Sequence, residues 1–154
     1  MGRFRLTIDS NLKNAFLISV FVRAVCDHLG MNRDDACSVD VCSVEAVTNV
    51  IKHAYLGAPG KEVSVEILAT PERLDLYVRD QGQTMPEEHR AKLLTGSQIL
   101  DFDPLNLEGV PEGGMGLPII HQLMDEVAYA TEGGTNCLRL TKFLQLGESL
   151  GARA

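Results

Sequence analysis

At 154 residues the chain has the size of one domain, and such a domain buries roughly 68–70% of its unfolded surface without needing disulfide or metal staples. Hydrophobic residues at 45% and charged residues at 23% exclude a disordered polymer. The net charge of −7, from 14 Lys and Arg against 21 Asp and Glu, disfavours a reader of duplex DNA, yet leaves open a phosphate held by backbone N–H groups and a metal.

The stretch Met1 to Leu6 has no apolar core of the kind a secretory leader needs, so none is expected. Arg3 to Asp9 then alternates Phe4, Leu6 and Ile8 against Arg3, Arg5 and Thr7, the pattern of a half-buried strand. Ser10 is placed to cap a helix with the stripe Ala15, Ile18, Val22, Val25 and Leu29, which Gly30 ends. The longest apolar run, Ala15 to Val22, falls far short of the ~20 residues that span a bilayer. A second helix is predicted from about Arg33 to Tyr55, closed by Gly57, Pro59 and Gly60. Two strands follow as a hairpin, Val63-Val65-Ile67 and Leu74-Leu76-Val78, around Pro71-Glu72.

From about Gln81 to Gly114 the chain is rich in Gly and Pro, with at most a short helix near Glu87 to Leu94. A connection this long inside one domain suggests a functional lid. Gly116-Leu117-Pro118 opens a further helix, with Pro in the first turn where its missing N–H costs nothing, and Leu117, Ile120 and Met124 mark its buried face. A closing hairpin runs from Val127 to Phe143 around Gly133-Gly134. Helices and hairpins are grouped rather than alternating, which predicts an α+β two-layer sandwich with the helices on one face of a mixed, mostly antiparallel sheet. Cys26, Cys37, Cys42 and Cys137 form no C-x-x-C pair and are expected to be small buried hydrophobes of a reducing compartment.

The second helix is apolar over most of its circumference, which predicts burial. One strip is not: Glu45, Asn49 and Lys52 stand at i, i+4 and i+7, with His53 beside them. Four residues advance about 6 Å along a helix, so Glu45 and Asn49 can serve one small site. A buried carboxylate is either paired or at work. A solvated edge or a neighbourhood with Lys52 would explain the strip structurally. Chemically, Asn49 offers a neutral oxygen to Mg²⁺, and Glu45 can take a proton from an attacking hydroxyl or water.

Two glycine-bearing segments follow. Asp80-Gln81-Gly82 ends a predicted strand; Asp80 can accept the exocyclic amine of adenine, although a plain D-x-G turn has the same sequence. Glu112-Gly113-Gly114-Met115-Gly116-Leu117 precedes a helix whose N-terminus offers N–H groups to phosphate, with a hinge as the plain alternative. It is neither a Walker loop nor a dinucleotide fingerprint.

In this order the segments Glu45-Ala46-Val47-Thr48-Asn49, Asp80-Gln81-Gly82 and Gly113-Gly114-Met115-Gly116-Leu117 resemble the N, G1 and G2 boxes of the GHKL ATPases, which share the Bergerat ATP-binding fold. The run Glu45 to Tyr55, with Glu112 to Leu117 and Met124-Asp125-Glu126-Val127, is similar to the anti-sigma-factor serine/threonine kinases. The resemblance covers nearly the whole chain as one domain, residues 1–154, with an ATP lid over about 83–112. It implies that Asn49 ligates Mg²⁺ and that Glu45 is the general base. It further implies that Asp80 binds adenine with Gly82 beside it and Thr141 in support. Gly113, Gly114, Met115, Gly116 and Leu117 would border the nucleotide, with Lys52 assisting at the phosphates.

ATP and Mg²⁺ are the cofactors so implied. The substrate is a serine or threonine of an anti-anti-sigma factor, and the second partner is a sigma factor. A cytoplasmic homodimer without nucleic-acid or membrane contact is expected. Some relatives carry an Arg just before the lid glycines; here Glu112 and Gly113 stand there, and no Lys or Arg occurs between Lys92 and Arg139. That departure motivates a second function, an ATP-gated protein-binding module with little or no turnover. A histidine-kinase catalytic domain and a gyrase-type ATPase fit less well, because neither a dimerisation helix pair nor a transducer domain is apparent.

Overall fold

The computed structural model describes residues 2–95 and 116–145. Five strands form one sheet in the order β1-β2-β3-β5-β4, where β1 is Gly2–Asp9, β2 Glu62–Ala69, β3 Arg73–Asp80, β4 Glu126–Glu132 and β5 Thr135–Phe143. The expected mixed character is absent among the described residues: all four pairings are antiparallel. Each hairpin reverses through a short turn, and the chain between β3 and β4 returns to the far edge so that β5 can run against β3. Helices α1 (Ala15–His28), α2 (Arg33–Asn49), α3 (Glu87–Thr95) and α4 (Gly116–Leu123) complete a two-layer α+β sandwich. Among the described residues no helix is long and apolar enough to cross a membrane.

The core forms where period-2 strands meet period-3.6 helices. Val63, Val65, Ile67, Leu74, Leu76, Val78, Leu138 and Leu140 are buried on the sheet, against Ile18, Val22 and Val25 of α1 and Val39 and Val47 of α2. Burying one such side chain contributes about 1.5–3 kcal/mol before the entropy of ordering is subtracted. The stripe predicted for α1 is therefore its core face. Ser10, expected as its cap, does other work: its hydroxyl donates to Ala58 O at 2.6 Å and accepts from Lys61 N–H at 3.0 Å. Asn11 caps instead, accepting from Lys13 N–H and opening a single 3₁₀ turn, Leu12–Asn14, ahead of α1.

α2 is not buried all round. Cys42, Ala46 and Val47 are inside, whereas Val41 is 39% exposed and Cys37 lies at the surface. The expectation of four buried cysteines thus holds for Cys26 and Cys42, fails at Cys37 on the exposed face of α2, and is met only in part at Cys137, which is half-buried. Burial pushes the thiols of Cys26 and Cys42 up to about 12, so these two stay protonated and unreactive.

The opposite face of the sheet carries charge. Glu66 is buried there, and its Oε2 accepts from Arg3 Nε at 2.8 Å and Arg5 Nη2 at 2.7 Å, while Oε1 accepts from Arg79 Nη1 at 3.3 Å. Burial alone would raise the Glu66 carboxyl; the guanidinium bonds of Arg3 and Arg5 outweigh it and hold the group below the usual range. Its charged form is therefore favoured by folding. That stability is complete above the unfolded value of about 4.3 and is lost as pH falls through the lower folded value. The melting temperatures of wild type and Glu66→Gln should differ most near neutrality and converge on acidification below about pH 4. Parallel curves over that window would contradict the assignment.

Candidate functional site

The site begins where β3 ends. Asp80 is buried on the helix-facing side of the sheet, in register with Asn136 of β5. Asp80 Oδ1 accepts from Gly82 N–H at 2.9 Å and from Asn136 Nδ2 at 2.9 Å, which leaves Oδ2 for a ligand. Desolvation pushes the Asp80 carboxyl up, and the Asn136 and Gly82 bonds oppose it. Gly82 is required by contact: a Cβ there would lie 2.5 Å from Ala54 O. That close approach lets Gln83 N–H donate to the same carbonyl at 2.9 Å.

Ala54 ends a π turn, Val50–Ala54, that begins directly after α2. Tyr55 N–H donates to Val50 O at 3.0 Å, five residues back, and so widens the helix. The wider turn breaks the i+7 spacing on which the polar strip depended. Lys52 is exposed and off the cleft, and His53 lines it instead. Asn49, the last α-helical residue, lines the cleft too, and its Nδ2 is buried with no hydrogen-bond partner. A side-chain amide whose buried nitrogen has no partner among the described residues suits a ligand or ion. Glu45 lies one turn earlier, half-buried, with no hydrogen bond or ion pair among the described residues. It does not line the cleft itself.

The cleft, about 190 Å³, joins Asn49 and Asp80 to Leu117 of α4, the helix that Gly116 opens. Gly113, Gly114 and Met115 lie outside the described residues, as does most of the expected lid. Thr141 is elsewhere. It pairs with Asp75, five positions along β5 from the residue opposite Asp80, or about 16 Å at strand rise. It also points to the other face of the sheet, where its hydroxyl donates to Asp75 Oδ1 at 2.5 Å.

The polar partner of Asp80 is Asn136, which residue-type reasoning missed. The sequence marks only where β5 starts, at the two-residue Gly133-Gly134 turn with both φ positive, and not which residue of β3 it faces. Tyr129 was missed as well. It lines the cleft, its hydroxyl accepts from Met85 N–H at 2.9 Å, and Arg90 sits 5.4 Å over its ring.

With this geometry in hand, comparison with known proteins is decisive. The profile of the histidine kinase-like ATPase domain matches residues 8–142. The chain belongs to that family. Within it, the chain is 30% identical over 143 residues to the serine-protein kinase RsbW of Halalkalibacterium halodurans, covering 93% of this chain and 84% of that one. It is also 30% identical over 129 residues to RsbW of Bacillus licheniformis, covering 83% and 77%. These matches place it with the anti-sigma-factor serine kinases of the histidine kinase-like group.

Solved structures agree on the fold. The RsbU and RsbW domains of a Mycobacterium tuberculosis protein match with TM-score 0.64 at 16% identity, over 94% of this chain and 33% of that longer one. A SiaB–SiaC complex from Pseudomonas aeruginosa matches with TM-score 0.60 at 15% identity, over 88% of each chain. The two-layer sandwich is thus the Bergerat fold of this ATPase domain.

In this member of the family the passage of Gly82 past Ala54 is steric, and its loss should be felt at once. Gly82→Ala should destabilise the protein by about 1–3 kcal/mol, the usual cost of overpacking, and lower its melting temperature. An unchanged melting temperature would show that the two segments can separate freely.

Proposed function

We propose that the chain is an ATP- and Mg²⁺-dependent protein serine/threonine kinase that phosphorylates an anti-anti-sigma factor and sequesters a sigma factor. The observation that carries this is the shared cleft of Asp80, whose Oδ2 has no partner, and Asn49, whose buried Nδ2 has none either among the described residues. The sequence relationship to RsbW supports the choice of reaction.

Asp80 Oδ2 accepts from the adenine amine, and the pinned backbone at Gly82 lets the base lie close. Asn49 holds the Mg²⁺, which when bound offsets phosphate charge. Glu45 takes the proton of the substrate hydroxyl as its oxygen attacks the γ-phosphorus. The bond from that phosphorus to the β–γ bridging oxygen breaks, and ADP leaves with the electron pair. Gly113, Gly114, Met115, Gly116 and Leu117 border the nucleotide, under a lid spanning about 83–112 of a single domain. The protein works as a cytoplasmic homodimer.

A second function has its own observation. No Lys or Arg lies between Lys92 and Arg139, so the part of the lid beyond Lys92 and the glycines that follow it offer no such side chain to the γ-phosphate. ATP binding would then gate a protein partner without turnover.

Transfer of labelled γ-phosphate to a candidate anti-anti-sigma protein decides between the two. In Glu45→Ala the rate should fall by about 10²–10⁴ while ATP affinity is retained. An undiminished rate would remove Glu45 as the base. If the wild-type protein binds its partner only with ATP yet yields no phosphorylated product, the gated module replaces the kinase.

A further inference from the structure

Asn136 is almost fully buried, at 1% exposure, and its side chain contacts five polar groups, its two N–H hydrogens shared among three acceptors. Nδ2 donates to Asp80 Oδ1 at 2.9 Å, Gly82 O at 3.1 Å and Gln83 O at 3.3 Å. Oδ1 accepts from Thr131 Oγ1 at 2.8 Å and Thr84 Oγ1 at 3.2 Å. Three acceptors surround the nitrogen and two donors surround the oxygen, so the amide has one orientation. The consequence for Asp80 is specific: one carboxylate oxygen is occupied from within the protein, and only the other is open.

The same amide ties β5 to the chain that leaves β3. Residues 82–84 are bonded to Asn136, Gln83 N–H to Ala54 O, and Met85 N–H to Tyr129. The wall of the cleft beside Asp80 is therefore fixed through side chains of β4 and β5 before any ligand arrives, which spares binding the cost of ordering it.

We infer that Asn136 is the positioning residue for base selectivity: it fixes the Asp80 carboxylate so that a purine bearing a 6-amino group is preferred over one without it. This rests on the nucleotide site proposed above. Asn136 need not touch the base. Without it, the Asp80 carboxylate rotates, Gly82 O and Gln83 O lose their donor, and discrimination at the 6-position is lost. Binding energy from the phosphates and from purine burial is unaffected by that rotation, so nucleotides that lack the amino group serve as internal controls.

The test measures dissociation constants of ATP and of purine riboside 5′-triphosphate, which has hydrogen in place of the amine, on the full chain with Mg²⁺. Wild type should prefer ATP. In Asn136→Ala the preference should drop roughly tenfold, about one charged hydrogen bond, with affinity for the purine riboside analogue little changed. Asn136→Ser, whose hydroxyl can still donate to Asp80, should restore part of the preference, and it carries the test if the Ala variant does not fold. An equal loss of both nucleotides, with the ratio intact in the Ser variant or in a folded Ala variant, makes Asn136 merely structural and overturns the inference. A wild-type protein that shows no preference, or binds neither nucleotide, fails earlier and removes the adenine site itself.

Discussion

The rest of the site depends on how closely two backbones pass at Ala54 and Gly82. The π turn presents Ala54 O to Gln83 N–H, and any side chain at Gly82 would collide with that same oxygen. Through this one junction the end of α2, which bears Asn49, is locked to the end of β3, which bears Asp80. Tyr55 adds a second tie: its hydroxyl donates to Glu62 O at 2.7 Å and accepts from Gln81 N–H at 2.8 Å. Helix end, strand start and strand end are thus held by short contacts rather than by a large apolar surface. A small domain can place two functional side chains from distant segments in register only if their backbones are fixed to each other this tightly.

The two faces of the sheet are put to different uses. The helix-facing side carries the aliphatic core and, at one end, Asp80 and Asn136. The other carries Arg3, Arg5 and Arg79 around buried Glu66, and Arg73 on Asp75. Strand alternation makes that separation unavoidable. A residue moved by one position changes face, which is why Thr141 belongs to the arginine side and Asn136 to the site.

The element order, the α1 core stripe and both hairpins were legible in the sequence because they rest on periodicity and on Gly-Gly and Pro turns, which act locally. Asp80, Asn49 and Leu117 were legible as members of one site because three motifs stand in order. Lys52 was misplaced because a helical wheel assumes 3.6 residues per turn, and the π turn after Asn49 violates it. Asn136 was missed, and Thr141 offered in its stead, because the pairing register of β5 against β3 is a long-range property. Only the alignment of Asp80 with Asn136 across 56 residues reveals it. Ser10 failed as a cap for a similar reason: a tertiary partner, the 58–61 loop, outcompeted the local helix end.

The acidity of the chain takes on a definite sense at this level. Arg3, Arg5 and Arg79 are committed to Glu66, Arg73 to Asp75, and Arg23 to Asp40, where it donates at 2.6 Å. Lys142 Nζ donates to Leu123 O at 2.9 Å. None of these cations lines the cleft, whose polar side chains are the amides of Asn49 and Gln83, the Asp80 carboxylate, the hydroxyls of Thr84 and Tyr129 and the imidazoles of His53 and His89. On the proposed reading, a triphosphate entering such a site would gain little from fixed side-chain charge, and its neutralisation would fall to a metal and to N–H groups at the start of α4. Affinity built that way depends on the divalent cation more steeply than on ionic strength, because ions screen distant charges far more than they weaken direct coordination. The −7 balance and a phosphate ligand are therefore compatible: these five arginines are held by the fold's own carboxylates.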